Sequence, residues 1–452
     1  MPSPRYESEA VDPAPLGQPL KFEFSGRSTI NRFLNGAMSE GLSSWDPVNL
    51  KARGIPSKEL VNLYKRWGEG EQGVILSGNI MIDYDQLEGP GNAIIPPGAP
   101  FSGERFERFT AIGTEAKKHG SLILGQVSHP GRQVADKVNS HPISASDVQL
   151  EKVVMGLTFA KPHAASQEEI NGVVEGFFHA AEYLWKAGWD GIEIHGAHGY
   201  LPAQFLSPTT NKRTDKYGGS LENRARLITE IAQAIRSRLP KEFVLGIKIN
   251  SVEFQEKGFT PQEAKQLCTI LEANKFDFVE LSGGTYEKLA FDHSTGKRES
   301  TKKREAFFME FAEQITPVLS KTKSYITGGF RTVSAMVDAL KSCDGIGLGR
   351  PLAQEPRFCA DLLAGRVTGA IKQLVNQDAF MDTNLAAGAQ MRQIGKDQEP
   401  IDLSDEKNFK AFNEDLAKFI QERQNDAAHA KYGPPDLKDV PSLPYGAAAK
   451  AV

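Results

Sequence analysis

The chain has 452 residues, of which 40% are hydrophobic and 24% charged, values typical of a globular protein. Its 53 basic and 57 acidic residues give a formal net charge of −4, so there is no basic excess for nucleic acid or an acidic membrane surface. Cys268, Cys343 and Cys359 are too few for a disulfide framework and form no Cys-x-x-Cys pair, which argues against an iron–sulfur cluster or a structural zinc. No apolar run reaches the ~18 residues of a membrane span, and the first residues lack a secretory apolar core. We therefore expect a cytoplasmic enzyme or binding protein.

The predicted elements begin after a lead-in of residues 1–20, which is rich in Pro, Ser, Ala and Glu and is expected to be flexible. From residue 21 to 370, short apolar runs alternate with segments of helical period. The predicted strands span residues 32–35, 73–80, 121–127, 191–194, 243–249, 276–281, 324–327 and 345–348. The predicted helices span residues 58–68, 104–119, 167–187, 222–238, 261–273, 304–319, 332–341 and 353–364. Ser57, Ser166 and Thr260 stand where they can cap three of these helices.

Eight strand–helix units in succession predict a parallel sheet, because parallel strands need a crossover connection. A doubly wound open sheet and a closed (β/α)₈ barrel both fit this order. The count of eight and the span of about 350 residues favour the barrel, as one domain over residues 21–370. Residues 371–452 are expected to form a C-terminal extension with one more amphipathic helix at 409–419. In a barrel the active site lies at the carboxyl ends of the strands, so the residues that follow the apolar runs matter most.

The fourth predicted strand leads into two histidines and a tyrosine, His195, His198 and Tyr200. Imidazole N–H groups can stabilise an oxygen that gains negative charge, and a phenol can deliver a proton. A metal site and a purely structural loop are the alternatives, although no third ligand is evident nearby. Glu193 is expected to face away from the histidines.

Glycine-rich turns follow the last two predicted strands. Gly328 and Gly329 end the seventh, and Gly347, Gly349 and Arg350 end the eighth. Barrels often bind a phosphate in these two loops, where backbone N–H groups can approach a ligand. Structural turns are the alternative. The long polar segment 205–224 is expected to be a loop that satisfies its own hydrogen bonds.

Further polar residues lie at other predicted strand ends. Ser39 follows the first, Asn79 follows the second, and Gln126 and Lys248 lie within the third and fifth. A buried amide or ammonium is costly unless it is paired. These side chains suit a mouth that binds a flat polar ring with a phosphate tail.

Taken together, these motifs resemble the old yellow enzyme family of flavin-dependent ene-reductases. The resemblance runs from about residue 16 to 364, roughly three quarters of the chain. The motifs that carry it are NRFLNGAMS at 31–39, GQVSHPGR at 125–132, IHGAHGYL at 194–201, FLSP through ENR at 205–224, and GLGRP at 347–351.

The resemblance implies a (β/α)₈ barrel that holds FMN non-covalently at its mouth. Gln126 would bond the pyrimidine edge of the flavin, and Lys248 would lie near N1 and O2. Ala37, Met38 and Ser39 would line one side of the ring, with Asn79 near its edge. Gly329, Gly349 and Arg350 would hold the phosphate.

The resemblance also implies a reaction in which hydride passes from NADPH or NADH through the flavin to the C=C bond of an α,β-unsaturated carbonyl compound. His195 and His198 would bind the substrate oxygen, and Tyr200 would donate the proton. The substrate is a small enone-type molecule, no metal is implied, and a homo-oligomer stays open.

Two residues depart from the family pattern. Ser39 stands where Thr or Cys is usual, and Lys248 stands where Arg is usual, which replaces a bidentate donor with a point charge. A redox-neutral flavin barrel, such as an isomerase or biosynthetic relative, is an alternative function. A flavin-free phosphate-binding lyase or aldolase, with Lys248 as a Schiff-base lysine, is another.

Overall fold

The fold is a closed parallel β-barrel surrounded by helices. The computed structural model describes residues 3–154, 156–250, 258–282, 312–426, 428–440 and 442–447. The barrel strands are β1 (Phe33–Asn35), β2 (Val74–Leu76), β3 (Leu122–Ser128), β4 (Gly191–Gly196), β5 (Val244–Asn250), β6 (Phe278–Ser282), β7 (Lys323–Thr327) and β8 (Gly345–Leu348). Each strand pairs in parallel with the next, and β8 pairs with β1, so the sheet closes. The (β/α)₈ prediction is confirmed.

The helices lie in chain order between and after these strands. They are α1 (Lys58–Gly68), α2 (Gly103–Ala116), α3 (Gln167–Lys186), α4 (Leu201–Leu206), α5 (Leu221–Arg224), α6 (Arg226–Arg238), α7 (Pro261–Ala273), α8 (Val333–Ala339), α9 (Arg350–Gln354), α10 (Phe358–Leu363), α11 (Phe380–Gly395) and α12 (Glu406–Gln424). The Ser57 hydroxyl accepts the Leu60 N–H, and Ser166 and Thr260 form complete capping boxes. The first half of the predicted helix 304–319, residues 304–311, lies outside the described residues.

Short elements complete the described chain. The 3₁₀ turns are Ala14–Gly17, Leu50–Ala52, Gly131–Gln133 and Thr316–Val318. The short strands are Leu20–Lys21, Ser28–Thr29, Ile80–Met81, Ala93–Ile94, Ile143–Ser144 and His163–Ala164. In the part of the chain described above, no helix combines the length and the apolar character needed to cross a membrane.

The barrel interior changes from apolar to polar along the strands. Its amino-terminal half is filled by an apolar cluster that includes Leu34, Leu124 and Phe278, and the antiparallel hairpin at residues 20–29 adds Leu20 and Phe22 to that cluster. Strand alternation then places four polar side chains one layer higher, toward the carboxyl ends. This polar layer consists of Gln126, Glu193, Lys248 and Glu280.

The C-terminal residues pack against the barrel and have a small apolar cluster of their own, which includes Phe412 of α12. The helix predicted at 409–419 is confirmed and extends over Glu406–Gln424. Helix α11 was not predicted. Its buried residues include Ala386, Ala387, Gly388 and Ala389 in succession, so the helix has little of the one-sided periodicity on which such predictions depend.

Candidate active site

The polar layer of the barrel is a charged network. The Lys248 Nζ donates to Glu280 Oε1 at 2.8 Å, and both side chains are almost completely buried. Burial acts to lower the pKa of Lys248, but attraction to Glu280 and then to Glu193 outweighs it, so that this pKa is raised. Burial and the nearby Glu280 both raise the pKa of Glu193 well above its usual range. The layer therefore contains a Lys248–Glu280 ion pair beside Glu193, whose raised pKa favours its protonated form.

Glu193 is a correction to the sequence prediction. Residues 193 and 195 are two apart on one strand, so both side chains point to the same face, not to opposite faces. The Gln126 Nε2 donates to Glu193 Oε2 at 2.6 Å inside the barrel. The same alternation along the strand predicted at 276–281 places Glu280 inward, so the sequence already indicated that Glu280 faces the barrel interior.

The histidine pair lies just above this layer, at the end of β4. His195 Nε2 and His198 Nδ1 are 3.1 Å apart, and His198 Nε2 is 2.9 Å from Ser282 Oγ. Burial lowers the pKa of His195 well below its usual range and that of His198 to about 3. Both imidazoles are therefore neutral at physiological pH.

The backbone at His198 is unusual for a residue with a side chain. Its φ of 56° lies in the left-handed region, which costs about 1 kcal/mol or more outside glycine. Three contacts hold this conformation: the His198 N–H donates to Asn250 Oδ1, its carbonyl accepts from Gln133 Nε2, and its ring bonds Ser282. In this backbone conformation the His198 imidazole contacts His195 and lies at the mouth of the barrel.

A directed chain of hydrogen bonds sets the histidine tautomers. The Asn79 Nδ2 donates to Glu88 Oε2 at 2.8 Å, which turns Asn79 Oδ1 toward His195 Nδ1 at 2.7 Å. His195 therefore carries its proton on Nδ1, and its Nε2 accepts from His198 Nδ1–H. In this arrangement the histidines bond to each other.

Tyr200 lies against His195 and completes the cluster. Their rings stack with centroids 4.0 Å apart, and Tyr200 is 2% exposed. The phenol oxygen accepts from Asn79 Nδ2 at 3.3 Å. Apolar side chains of the loop after β2, among them Met81, Leu87 and Ile94, pack around the tyrosine.

Glu88, on the same loop, is a mouth residue that the sequence did not reveal. Its carboxylate accepts from Ser39 Oγ at 2.5 Å, Asn79 Nδ2 at 2.8 Å and Asn92 Nδ2 at 3.2 Å. It follows no predicted strand directly, and only the tertiary fold brings it over Ser39.

The loop after β1 is held by a buried carboxylate. Glu40 accepts from the Tyr64 hydroxyl and from the Gly78 N–H at 2.9 Å, and burial raises its pKa. Gly78 has no room for a side chain, since a Cβ would lie 2.3 Å from Glu40 Oε2 and 2.4 Å from the Met38 carbonyl. The partly buried Ala37 and Met38 are thereby fixed beside the mouth.

The neighbouring side of the mouth is lined by the glycines after β7 and β8. Gly329 has a φ of 79°, and a Cβ on Gly349 would come within 3.6 Å of Met38 Sδ. The Arg350 Nη1 donates to Thr383 Oγ1 of α11 at 2.6 Å. The predicted phosphate residues therefore come together at one end of the mouth, against the C-terminal extension.

The structure bears on the alternative of a metal site and on the loop predicted at 205–224. Among the described residues, no three His, Cys, Asp or Glu side chains are grouped so that they could hold a metal ion. The loop at 205–224 bonds largely to itself, as predicted: Asn211 donates to the Phe205 and Tyr217 carbonyls, and Arg213 pairs with Asp215.

Comparison with known proteins identifies the family. The model of the NADH:flavin oxidoreductase / NADH oxidase family matches residues 16–368. The chain belongs to this family. A similar relative is the NADH-dependent flavin oxidoreductase nadA of Aspergillus parasiticus, 51% identical over 429 residues that cover 95% of this chain and 96% of that protein.

Solved structures agree on the fold of this flavin oxidoreductase. Morphinone reductase in complex with tetrahydroNAD matches with a TM-score of 0.61 and 22% identity, over 78% of this chain and 92% of that chain. A 2-naphthoyl-CoA reductase matches with a TM-score of 0.68 and 21% identity, over 78% of this chain and 52% of that longer chain. The resemblance to old yellow enzymes is confirmed, and FMN and a reduced nicotinamide are the family's cofactors.

The mouth of the flavin oxidoreductase fits FMN. Asn250 Nδ2 is buried and has no hydrogen-bond partner among the described residues, which leaves a donor for a ligand. A Cβ at Gly347 would lie 1.7 Å from Thr327 Oγ1, so the close packing of β8 on β7 at this level of the barrel requires glycine. The individual FMN contacts of Gln126, Lys248 and the residues around them stay predictions.

Proposed function

We propose that this flavin oxidoreductase reduces the activated C=C bond of α,β-unsaturated carbonyl compounds, with NADH as the hydride donor. The observation that carries the proposal is the buried Tyr200 stacked on His195 and beside His198. A phenol next to two oxygen-binding imidazoles suits protonation of a carbon α to a carbonyl group. The NADH preference follows the name of the Aspergillus relative.

His195 and His198 bind the carbonyl oxygen as neutral donors. To do so, His195 presents an N–H at Nε2, and its Nδ1 becomes an acceptor. The Ser128 hydroxyl, 3.3 Å from that Nδ1, is the donor within reach. Asn79 Oδ1, which accepts from Nδ1 at 2.7 Å in the free protein, has to turn away, because two acceptors repel each other at that distance. Substrate binding thus exchanges the His195–His198 bond for two bonds to the substrate oxygen, which strengthen as enolate charge develops.

The proton and the hydride reach adjacent carbons. When bound, FMN would supply hydride chemistry at the β-carbon, with the reduced nicotinamide as its source. Tyr200 protonates the α-carbon, and the apolar residues around its ring exclude water that would compete for that position. One hydride and one proton saturate the C=C bond.

In this proposal Lys248 contributes its positive charge and forms no covalent bond with the substrate. A Schiff-base lysine needs a lowered pKa, whereas attraction to Glu280 raises that of Lys248. This observation and the family membership set aside the flavin-free lyase.

The proposal is tested first by the colour of the protein. Purified protein loaded with FMN should be yellow, bleach with NADH under argon, and regain its colour with 2-cyclohexenone while one NADH is consumed per product. Bleaching without recovery by any enone would refute the ene-reductase. Product formed without NADH consumption would indicate the redox-neutral alternative.

A second test isolates Tyr200. Tyr200→Phe should slow flavin reoxidation by the enone at least tenfold and leave flavin reduction by NADH within about twofold of wild type. Tyr217→Phe is the matched control, because Tyr217 is equally buried but donates to Glu230 away from the mouth. Equal loss in both half-reactions would contradict the proton-donor role.

A further inference from the structure

The C-terminal extension contacts the end of the mouth where the cofactor phosphate is expected. The family model ends at residue 368, so this contact lies outside the part that matches the family. Thr383, in the second turn of α11, is 4% exposed and accepts from Arg350 Nη1 at 2.6 Å. Arg350 follows β8 and begins α9.

The Thr383 hydroxyl is oriented for this contact. Its own proton goes to the Phe380 carbonyl, 3.0 Å away in the preceding turn, a common bond for threonine in a helix. The lone pairs of the oxygen therefore face the guanidinium. Accepting one guanidinium proton holds the group from one side and removes rotamer freedom from a long side chain.

The extension is firmly attached at this point. Gln354, at the end of α9, accepts from Gln390 Nε2 of α11 at 2.6 Å and from Gln373 Nε2 at 2.8 Å. The Gln354 amide in turn donates to the Ile401 carbonyl at 3.2 Å. A small cavity between the barrel and the extension is lined by both Arg350 and Thr383.

We propose that Thr383 is a positioning residue for the FMN phosphate: the extension holds Arg350 in the orientation that binds the phosphate dianion. This inference rests on the phosphate role of Arg350. It gives residues 371–452 a function, since α11 supplies a contact that the barrel by itself does not have. The signature of the role is selective, because riboflavin has the same ring system and no phosphate.

The test is the affinity of the flavin-free protein for FMN and for riboflavin, measured by quenching of flavin fluorescence. Thr383→Val should weaken FMN binding about tenfold, the usual effect of losing one hydrogen bond to a charged group, and leave riboflavin binding unchanged. Thr383→Ser keeps the hydroxyl and should restore FMN binding. Thr322→Val, at an equally buried threonine that donates to the Phe276 carbonyl near the start of β7, should change neither affinity.

The double variant distinguishes a positioning role from a structural one. In an Arg350→Ala background, Thr383→Val should have no further effect on FMN binding, because Thr383 acts through the arginine. Equal losses for FMN and riboflavin, or a loss that persists without Arg350, would overturn the inference. So would an Arg350→Ala variant that still prefers FMN to riboflavin as strongly as wild type. A protein that binds FMN in this way but reduces no enone would refute the proposed function and leave the role of Thr383 standing.

Discussion

The ion pair inside the barrel should be a major determinant of stability. Glu280→Gln removes the carboxylate that accepts from Lys248 Nζ at 2.8 Å and keeps the size of the side chain. Lys248 and Glu280 are 6% and 0% exposed, so water cannot replace the lost partner. Removing one member of a buried pair typically costs about 3–5 kcal/mol of unfolding free energy.

Glu193 should reduce this cost. Its pKa is raised by burial and by the charge of Glu280, so the loss of that charge allows Glu193 to ionise and to neutralise Lys248. We therefore expect Glu280→Gln to cost about 2 kcal/mol, and Glu193→Gln, which keeps the size of the side chain bonded to Gln126, about 1 kcal/mol. The double variant removes both of the carboxylates that attract Lys248 and should cost about 5 kcal/mol, more than the sum of the two.

Urea unfolding of the flavin-free proteins at pH 7.5, followed by tryptophan fluorescence, measures these differences. The matched control is Glu175→Gln, which breaks an exposed pair with Arg238 and should cost less than about 0.5 kcal/mol. If the stability costs of the two single variants add up to the cost of the double variant, the exchange of charge between the two glutamates is refuted. A Glu280→Gln variant as stable as the control would refute the buried ion pair itself.

Three further predictions concern other parts of the chain. Burial lowers the pKa of His129 from 6.5 to about 3, so the unfolded chain binds a proton that the folded chain does not, and stability falls as the pH drops from 6.5 toward 3. His129→Asn should reduce the pH dependence of the unfolding free energy in that window, measured by urea unfolding, by up to about 1.4 kcal/mol per pH unit. An unchanged pH dependence would show that His129 is not held neutral. Gly347→Ala should cost about 1–3 kcal/mol of stability, seen as a lower thermal midpoint, because the new Cβ meets Thr327 Oγ1. Adding Thr327→Ala should restore part of that stability. A Gly347→Ala variant as stable as wild type would contradict the contact. Ser166→Ala removes a capping-box hydroxyl and should cost about 1 kcal/mol in the same melt, whereas Ser166→Asp should cost less than half of that.

The sequence predicted the barrel well because its signals are local. Apolar runs mark strands that are covered on both faces, and amphipathic segments with capping residues mark the helices that cover them. Helix α1 begins and ends where predicted, and so does α7. Helix α11 escaped prediction because it is buried on several sides and lacks a single apolar face.

The candidate site was predicted in part. Its histidines and tyrosine follow a strand directly, and the glycines and Arg350 follow another, so the rule that barrel sites lie at strand ends was enough to select them. Strand alternation also places Glu193 on the same face as His195, because the two residues are two apart on one strand. Glu88 is different, because nothing in its local sequence indicates that its loop folds over the mouth.

The sequence by itself therefore determined the succession of strand–helix units and the choice of most residues around the mouth, since these depend on periodicity and on position along each strand. It favoured closure of the sheet by the number of strands, but the pairing of β8 with β1 that closes the barrel is a tertiary contact. Only the tertiary structure decided which of those residues bond to one another. The raised pKa of Glu193, the pairing of Lys248 with Glu280 and the contact of Arg350 with Thr383 all arise between side chains more than 30 residues apart. Burial and Coulomb interactions act through space, and their strength is set by distances that no local pattern encodes.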